Sequence, residues 1–339
     1  MKLWQKSSDV NKKVEVFTIG NDQALDLLLA PFDVLGSLAH ITMLESIDLL
    51  TKEELATLSK ELKALYKEAE AGKLTIDEGI EDIHSQVEYL LTDKLGEVGK
   101  KIHSGRSRND QVLVDLKMFF RSEIEVIANQ VQTLTDQLLK KSDQFKNVLI
   151  PGYTHMQVAM PSSIGLWLGA YAESLSDDLI ALRGTYEVAN KNPLGSAAGY
   201  GSSFPLDREM TTELLGFAEP NYNVVYAQMT RGKTEVALAN AIASIAATMS
   251  KLAMDMCLYA GQNFNFIKFP DELTTGSSIM PHKKNPDVFE LVRGRCNQLT
   301  ALPNELNLIL SNLPSGYHRD LQQLKEHLFP GIQTLKQCL

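Results

Sequence analysis

The sequence predicts an all-α protein in which a small amino-terminal helical domain precedes a bundle of long helices. Apolar residues recur every three or four positions along three long segments, which is the spacing of one face of an α-helix. Because helices of this length need several packing partners, we expect a bundle of roughly four to six antiparallel members. The three apolar stripes are Leu116, Phe120, Ile124, Ile127, Val131, Leu134 and Leu138; Ile164, Leu168, Tyr171, Leu175, Leu179, Leu182 and Tyr186; and Leu238, Ile242, Ile245, Met249, Leu252, Met256 and Tyr259.

Two further helical stretches follow the stripes, from about Asp287 to Ser311 and from about Asp320 to the end of the chain. We expect Pro303 and Pro330 to kink or interrupt these helices, since proline lacks the backbone N–H that an inner helical turn requires. Strand signals are scarce.

The amino-terminal third has shorter helices with good start signals. The segments Thr51–Glu54 and Thr75–Glu78 both have the pattern of a capping box, in which a threonine and a glutamate satisfy the first N–H groups of a helix. We place the domain boundary just before the first long helix, which gives an amino-terminal domain at residues 1–104 and a central bundle at residues 105–339.

The composition argues against several classes of binding partner and cofactor site. Lysine and arginine number 33 against 42 aspartates and glutamates, a formal net charge of −9, which argues against a nucleic-acid or anionic-membrane binder. Cys257, Cys296 and Cys338 are far apart in sequence and indicate neither a disulfide framework nor a thiolate metal site. The start Met1–Lys6 lacks the apolar run of a signal peptide, and no stretch is long and apolar enough to span a bilayer. We therefore expect a soluble, cytoplasmic protein.

The strongest candidate for chemistry is the loop Gly276–Pro286, which we call the signature loop. Its sequence, GSSIMPHKKNP, offers hydroxyls, lysines, an amide and backbone N–H groups within a short span. Such a loop can stabilise an oxyanion while a hydroxyl acts as nucleophile or base. Taken alone, the same composition also fits a solvated loop that caps the following helix.

Other polar segments precede the long helices. Gly105–Gln111 places two arginines beside a serine and an asparagine at a predicted helix amino terminus, where anions bind favourably. Gly152–Gln157 contains His155, which could act as general acid or base. Each segment alone also fits an ordinary helix cap or a structural histidine. The pair Asp82 and His84 is weaker still, because an acid beside an imidazole is usually a surface pair. No two histidines have helical metal-ligand spacing, so we predict no metal site.

Together these segments resemble the aspartase/fumarase superfamily and, within it, the argininosuccinate lyase family. The signature loop is similar to the superfamily motif G-S-S-x-M-P-x-K-x-N-P, which is long and specific. The argininosuccinate branch is indicated by segments spread in order over the chain: Leu3–Trp4, Phe17–Gly20, Glu81–His84, Gly105–Gln111, Tyr153–Gln157, Gly201–Glu209 and Tyr317–Gln322. The resemblance implies a fold of the aspartase/fumarase type.

The resemblance also implies residue roles. Ser277 matches the family's catalytic base, and Lys283 and Asn285 match residues that bind the carboxylate beside the carbon that loses its proton. His155 matches a histidine that serves as general acid or assists it, with Thr154 beside it on a substrate carboxylate. Residues matching further substrate contacts are Thr18, Asp82, His84, Ser107, Arg108, Asn109, Arg231, Tyr317, Arg319, Gln322 and Lys325, of which Tyr317, Gln322 and Lys325 match contacts to the arginine part of the substrate.

The implied reaction is the β-elimination of argininosuccinate to arginine and fumarate in arginine biosynthesis, with no metal or organic cofactor. The implied assembly is a homotetramer whose sites are shared between chains. Thr18 stands where many relatives have serine, and Arg319 stands where others have lysine. Family members continue into a small carboxy-terminal helical domain, whereas this sequence stops at Leu339, so we expect a truncated form.

Two alternatives remain at this point. The signature loop is shared with adenylosuccinate lyase and fumarase, although Gly105–Gln111 and Tyr317–Gln322 argue against both. The second alternative is a non-catalytic, crystallin-like relative, against which the presence of Ser277, Lys283 and His155 argues.

Overall fold

The computed structural model describes residues 12–339, and α-helices dominate this part of the chain. The all-α prediction is therefore confirmed. The start of the chain, on which the signal-peptide expectation depends, lies outside the described residues. The helices are α1 Lys12–Ile19, α2 Asp22–Asp26, α3 Ala30–Ser46, α4 Lys52–Glu70, α5 Ile83–Leu95, α6 Glu97–Lys100, α7 Arg108–Gln144, α8 Ile164–Ala189, α9 Arg208–Leu214, α10 Val224–Ala260, α11 Asp287–Leu299, α12 Leu302–Leu310 and α13 Gln323–Cys338.

Short strands and 3-10 turns connect these helices. Strands β1 (Leu149–Thr154) and β2 (Gln157–Ser163) form an antiparallel hairpin, with Thr154 opposite Gln157. Strands β3 (Lys191–Asn192) and β4 (Glu219–Pro220) form a minimal parallel pair. The 3-10 turns are Lys101–His103, Asp271–Leu273 and Arg319–Gln322.

The chain forms two compact units, each assembled from three stretches of sequence. Among the described residues, unit 1 consists of 12–122, Tyr186–Glu235 and Leu308–Phe329. Unit 2 consists of Glu123–Thr185, Val236–Asn307 and Pro330–Leu339. Unit 1 therefore combines residues from both sides of position 104, while the division into domains 1–104 and 105–339 stays a prediction.

The three predicted long helices are confirmed as α7, α8 and α10. Most residues of each stripe are at most 7 % exposed, and Ile127, Val131, Leu175 and Ile242 are fully buried. Within unit 2, polar side chains add links between α8 and α10, since the Asp178 carboxylate accepts hydrogen bonds from Ser244 and Thr248 at 2.5 and 2.7 Å.

The core of unit 1 lies under α3, α4 and α5, where Val34, Ile41, Leu58, Leu62, Ile83 and Leu91 are buried. Thr51 begins α4 with the predicted capping box: its hydroxyl accepts from the Glu54 N–H, and the Glu54 carboxylate accepts from the Thr51 N–H. The second predicted capping box is wrong, because Thr75–Glu78 lies in a connecting segment that starts no helix. There Asp77 exchanges hydrogen bonds with the side chain of Gln86, and Asp82 caps α5 instead.

The two proline expectations have different outcomes. The helical stretch after Asp287 breaks between Leu299 and Leu302, with Pro303 in the first turn of α12, where its missing N–H costs no helical hydrogen bond. By contrast, α13 continues through Pro330, so that proline does not interrupt the helix.

Contrary to the expectation that no stretch is long and apolar enough to span a bilayer, one described helix, α10, passes by length and composition, with a mean hydropathy of 1.4 over its best window. Half of that window is buried inside the structure, as expected for a core helix of a bundle. Its backbone also leaves helical geometry at Arg231 and Gly232.

Candidate active site

A polar cavity of about 220 Å³ lies within unit 1. Its walls combine carboxylates and cations, which is the chemistry expected for a substrate that carries both kinds of charge. The lining residues are Asp22, Asp26, Glu81, Asp82, His84, Arg108, Asn109, Val112, Arg231, Tyr317, Arg319, Gln322 and Lys325.

The amino termini of α5 and α7 provide one wall of this cavity. Asp82 caps α5 by accepting from the N–H of Ser85 at 2.8 Å, and its other oxygen accepts from Arg108 at 3.1 Å. Burial alone would raise the pKa of Asp82, but His84, Arg108 and the Ser85 hydrogen bonds outweigh that effect and lower it. Asp82 is therefore an anion held in place by the first residue of α7.

Ser107 precedes α7 and acts as its cap rather than as a cavity wall. Its hydroxyl accepts from the Asn109 N–H at 3.2 Å, and its own N–H donates to Asp110 at 2.9 Å. This arrangement confirms the helix start predicted in Gly105–Gln111. It also places Arg108 and Asn109 in the first turn, where both line the cavity.

Lys325 lies deep in the cavity wall, with its side chain 4 % exposed. Its ammonium is 2.6 Å from Asp22 and also contacts Asp26, both of which belong to α2. Burial alone would lower the pKa of Lys325, but Asp26 and Asp22 outweigh it and raise the pKa. Lys325 is thus a buried cation, not a solvated lysine of the last helix.

Arg319 and Gln322 hold the end of α1. The amide of Gln322 donates to the carbonyl oxygens of Thr18 and Ile19 at 3.1 and 3.0 Å, and Arg319 donates to the same Thr18 carbonyl at 3.1 Å. Arg319 also pairs with Glu81 at 2.6 Å. Thr18 is therefore joined to the cavity residues through its backbone, although it does not line the cavity itself.

Arg231 reaches the cavity because α10 is broken at that point. Gly232 has φ +89°, and a Cβ there would lie 2.3 Å from the Leu310 side chain, so glycine is required. The Arg231 guanidinium lies 3.2 Å from Glu235 and donates to the Leu321 carbonyl at 3.0 Å. Its Nη1 atom is buried without a hydrogen-bond partner among the described residues, which leaves a donor for a bound ligand.

His84 closes the cavity with a buried ring whose Nδ1 lies 2.7 Å from Asp33 and 3.5 Å from Asp115. Asp82 and His84 are both buried rather than a surface pair, and the ring hydrogen-bonds to Asp33 instead of to its sequence neighbour Asp82. The ligand atoms of the three residues lie within 4.8 Å of one another, close enough to surround a cation. However, Nδ1 donates its hydrogen to Asp33, so it has no lone pair to offer, and we describe the trio as a hydrogen-bonded ion cluster.

The signature loop lies in unit 2 and is held at its base by a β-bridge between Thr275 and Asn285. Within the loop, the Ser277 hydroxyl oxygen accepts hydrogen bonds from the N–H groups of Ile279 and Met280, at 3.3 and 3.2 Å. Two donors on one hydroxyl oxygen favour its ionised form, because hydrogen bonds to the charged state lower a pKa.

Two other loop residues have different surroundings. Asn285 donates its amide to the Thr275 hydroxyl at 3.3 Å, which keeps the side chain beside the loop base. Lys283 is exposed and has no ion-pair partner in the described part of the chain, whereas Lys284 pairs with Asp271. Lys283 is therefore the lysine of the loop that is available to a ligand.

His155 lies at the tip of the β1–β2 hairpin, where a loop leading into a helix was predicted. Both loop residues, His155 and Met156, have positive φ, 54° and 60°, as a two-residue type I′ turn requires. Histidine adopts this left-handed conformation more readily than most non-glycine residues. The hairpin exposes both Thr154 and His155.

The structure thus sorts the predicted residues into two groups. The unit 1 cavity collects Asp82, His84, Arg108, Asn109, Arg231, Tyr317, Arg319, Gln322 and Lys325. Thr154, His155, Ser277, Lys283 and Asn285 belong to unit 2, on the hairpin and the signature loop. Sequence reasoning missed Asp22, Asp26 and Glu81. The four-residue spacing of Asp22 and Asp26, which places both on one helix face, was the available signal.

The chain is similar to known proteins in both sequence and fold. A sequence model of the lyase family matches residues 1–300. An argininosuccinate lyase of Bacteroides fragilis is 64 % identical over the whole chain, which spans 76 % of that relative, and one of Thermotoga neapolitana is 39 % identical with 85 % of its length covered. A crystal structure of EDDS lyase in complex with formate has a TM-score of 0.80 and 26 % identity; 95 % of this chain matches 66 % of that one. A class II fumarase of Schistosoma mansoni shares the fold, with a TM-score of 0.80 at 17 % identity.

The fold and the sequence model define a lyase of the fumarase type, and the protein is an enzyme that acts on a small molecule. Full-length identity to curated enzymes narrows this class. The chain belongs to the argininosuccinate lyase family, whose members are carbon–nitrogen lyases.

Proposed function

We propose that this chain carries out the reaction that names its family, the β-elimination of argininosuccinate to arginine and fumarate, with Ser277 as base. The observation that carries the proposal is the Ser277 hydroxyl, which accepts from two backbone N–H groups inside the signature loop. A serine is a poor base in water and needs strong stabilisation of its alkoxide. The loop supplies preorganised donors, and the Lys283 cation follows in the same loop.

The proton to be removed lies on a carbon beside a carboxylate, where acidity is feeble. Its removal becomes feasible when donors stabilise the dianion that develops. We assign this task to Lys283 and Asn285, because Lys283 is exposed and unpaired in the described structure while Asn285 is fixed at the loop base. The Lys283 ammonium and the Asn285 amide can both donate hydrogen bonds to a developing negative charge.

The departing nitrogen requires a proton or must leave as a charged guanidinium. His155 is the proposed acid or the partner of the acid, and the exposed hairpin tip leaves its ring accessible to a ligand. Thr154, the preceding residue, is the proposed contact for a substrate carboxylate.

The cavity of unit 1 is the proposed subsite for the arginine part of the substrate. Tyr317 and the unpartnered Nη1 of Arg231 offer donors, while Asp22 and Glu81 offer acceptors for an ammonium or guanidinium group. Gln322 also lines the cavity, with its amide N–H groups donated to Thr18 and Ile19. Lys325 is already paired with Asp22 and Asp26. The three side chains therefore contact the substrate as one ion cluster. Arg108 and Asn109, which line the same cavity at the start of α7, are proposed as further substrate contacts, with Asn109 at the succinyl end.

We further propose that the protein works in the cytoplasm as a homotetramer with sites shared between chains. Supporting the assembly, α8 carries large apolar side chains that are strongly exposed, with Leu166 at 70 % and Ile180 at 71 %. The acidic net charge supports the absence of a nucleic-acid or membrane partner.

The reaction can be tested by following the ultraviolet absorbance of fumarate. Purified protein is given argininosuccinate, adenylosuccinate or malate, and arginine is measured separately. We expect fumarate and arginine in equal amounts from argininosuccinate alone. Release of fumarate from adenylosuccinate but not from argininosuccinate would move the chain to the neighbouring branch, and no turnover of any substrate would contradict the proposal.

A further inference from the structure

The imidazole of His84 has two different sides. Its side chain is 6 % exposed, and Nδ1 is occupied by Asp33 at 2.7 Å with Asp115 at 3.5 Å. The opposite nitrogen, Nε2, has no hydrogen bond among the described residues, and the residue lines the cavity of unit 1. One edge of the ring is therefore fixed by carboxylates, and the other is available to a ligand.

The two carboxylates come from different helices and neither lines the cavity. Asp33 lies on α3 and Asp115 on α7, and both are fully buried. Asp33 Oδ1 also accepts from the Gln111 amide at 2.7 Å, whereas both oxygens of Asp115 have no hydrogen-bond partner in the described structure. Helix packing has thus placed two acids behind one imidazole.

Other charged groups surround this cluster. The Asp82 carboxylate, at the start of α5, faces His84, and the buried guanidinium of Arg106 faces both Asp33 and Asp115. Asp26 of α2 faces Asp115. Three carboxylates therefore face the ring, while the Arg106 guanidinium faces the two carboxylates behind it.

We propose that Asp33 and Asp115 are positioning residues that keep His84 in its imidazolium form and aim its Nε2–H into the cavity, where it donates to a carboxylate of the substrate. The inference rests on the proposed function, because that function supplies the anionic substrate. His84 itself touches the substrate, whereas Asp33 and Asp115 act through His84.

The protonation state of His84 determines whether Nε2 presents a hydrogen-bond donor or an acceptor to the cavity. With Nδ1–H donating to Asp33, a neutral ring would present the lone pair of Nε2, which repels a carboxylate. The imidazolium presents an N–H at the same place and makes a charge-assisted hydrogen bond. This donor adds to a cavity in which Arg108, Arg319 and Lys325 already contact protein carboxylates.

The pKa directions support this assignment. Burial alone would lower the pKa of His84, but Asp33, Asp115 and Asp82 outweigh it and raise the pKa to about 9. Burial and the neighbouring Asp33 raise the pKa of Asp115 well above its usual value, while the pKa of Asp33 is lowered mainly through His84 against the effect of burial. Asp33, which hydrogen-bonds Nδ1, is thus the carboxylate whose own pKa the ring lowers, and Asp115 and Asp82 add to its effect on His84.

The first test measures the protonation state of the His84 ring directly and requires no substrate. Nitrogen-15 NMR of the imidazoles in the intact protein reports protonation, and a His84→Asn variant assigns the signal. We expect an imidazolium spectrum for His84 at neutral pH, whereas His103, whose pKa burial and nearby Arg106 lower to about 4, supplies a neutral reference. A neutral His84 at neutral pH would overturn the inference, whatever the protein does to argininosuccinate.

The second test uses Asp33→Asn and Asp115→Asn, with Asp33→Glu as the conservative partner. The control is Asp178→Asn, which removes a buried, hydrogen-bonded carboxylate of α8 that does not line the cavity. We expect Asp33→Asn to lower the pKa of His84 and to reduce kcat/KM roughly 10- to 100-fold, mainly through KM, since a charge-assisted hydrogen bond to bound substrate is lost.

Asp33→Glu should restore part of the loss, and the alkaline fall of kcat/KM should move to lower pH in Asp33→Asn. An unchanged pH profile in a folded Asp33→Asn protein would contradict the inference, as would equal losses in the Asp178→Asn control. A parent protein that shows an imidazolium at His84 but never cleaves argininosuccinate would instead refute the proposed function.

Discussion

The ammonium of Lys325 lies 2.6 Å from the carboxylate of Asp22, and the same ammonium contacts Asp26. This relationship joins α13 to α2 within unit 1 and places a buried ion cluster at the wall of the cavity. Lys325 therefore has a structural role as well as the predicted substrate-binding role, because its ammonium neutralises two protein carboxylates.

Replacing Lys325 should therefore damage stability and substrate binding together. In Lys325→Met, two buried carboxylates lose their cation, and we expect the free energy of unfolding to fall by about 3–5 kcal/mol. We also expect kcat/KM for argininosuccinate to fall, because the free-energy barrier should rise by about 1–3 kcal/mol. Urea unfolding and steady-state kinetics measure the two effects.

Lys336→Met is the matched control, since Lys336 lies on the same helix and pairs with Glu123 at 2.6 Å outside the cavity. Adding Asp26→Asn to Lys325→Met should recover part of the stability. If Lys325→Met is as stable and active as the control, the buried cluster and the arginine subsite are both wrongly assigned.

Lys117 should make stability depend on pH. It is 1 % exposed and donates to Asn221 at 2.8 Å, and burial lowers its pKa from 10.5 to about 7, against the opposing effect of Glu235. Because the unfolded chain binds this proton more tightly than the folded one, Lys117 makes the folded state more stable as the pH rises from about 7 toward 10.5.

We expect this rise of stability with pH to be absent in Lys117→Met. It should be retained in Lys63→Met, which removes an exposed lysine of α4. Denaturant unfolding at several pH values, with the difference between parent and variant plotted against pH, provides the measurement. A constant difference over this range would show that Lys117 remains charged in the folded protein.

The hairpin that carries His155 should depend on aromatic packing. Tyr153 contacts Phe264 edge-on with ring centroids 5.6 Å apart and stacks near Phe266 at 6.5 Å. We expect Tyr153→Ala to lower kcat at least roughly tenfold, about 1.4 kcal/mol, because the hairpin tip loses its support. Tyr153→Phe keeps the ring and should stay close to the parent, and an equal loss in both variants would assign the effect to the hydroxyl instead.

Assembly can be tested on α8. Light scattering should report a tetramer for the parent, and Ile180→Asp should produce smaller species, because the substitution places a charge on an exposed apolar position. Lys63→Asp introduces the same charge on α4 as a control. A dilute parent that is monomeric and fully active would contradict the shared-site tetramer.

The helices were predictable because their signal is local. The stripe from Leu116 to Leu138 repeats every three or four residues, and α7 buries most of it. The capping pattern is also local, but it is ambiguous: Thr51 and Thr75 start similar patterns, and only Thr51 begins a helix. The hairpin around His155 was missed, since positive φ at His155 and Met156 has no strong sequence marker when glycine is absent.

The site was predictable only where a motif marks it. The signature loop and Tyr317–Gln322 are recognisable segments, whereas Asp33 and Asp115 carry no motif and meet His84 through tertiary packing. The pairing of Lys325 with Asp22 joins residues about 300 positions apart, so no local pattern could have indicated it. The two thiols Cys296 and Cys338 likewise become neighbours only in the folded unit 2.

The most direct test of the whole account is fumarate release from argininosuccinate by the parent, Ser277→Ala and Ser278→Ala proteins. Ser278 is the matched control, an exposed hydroxyl next to Ser277 in the same loop. We predict that Ser277→Ala abolishes turnover while helical content and oligomeric state are unchanged, and that Ser278→Ala retains most activity. Activity of Ser277→Ala within about tenfold of the parent, roughly 1.4 kcal/mol of barrier, would contradict the assignment of Ser277 as the base.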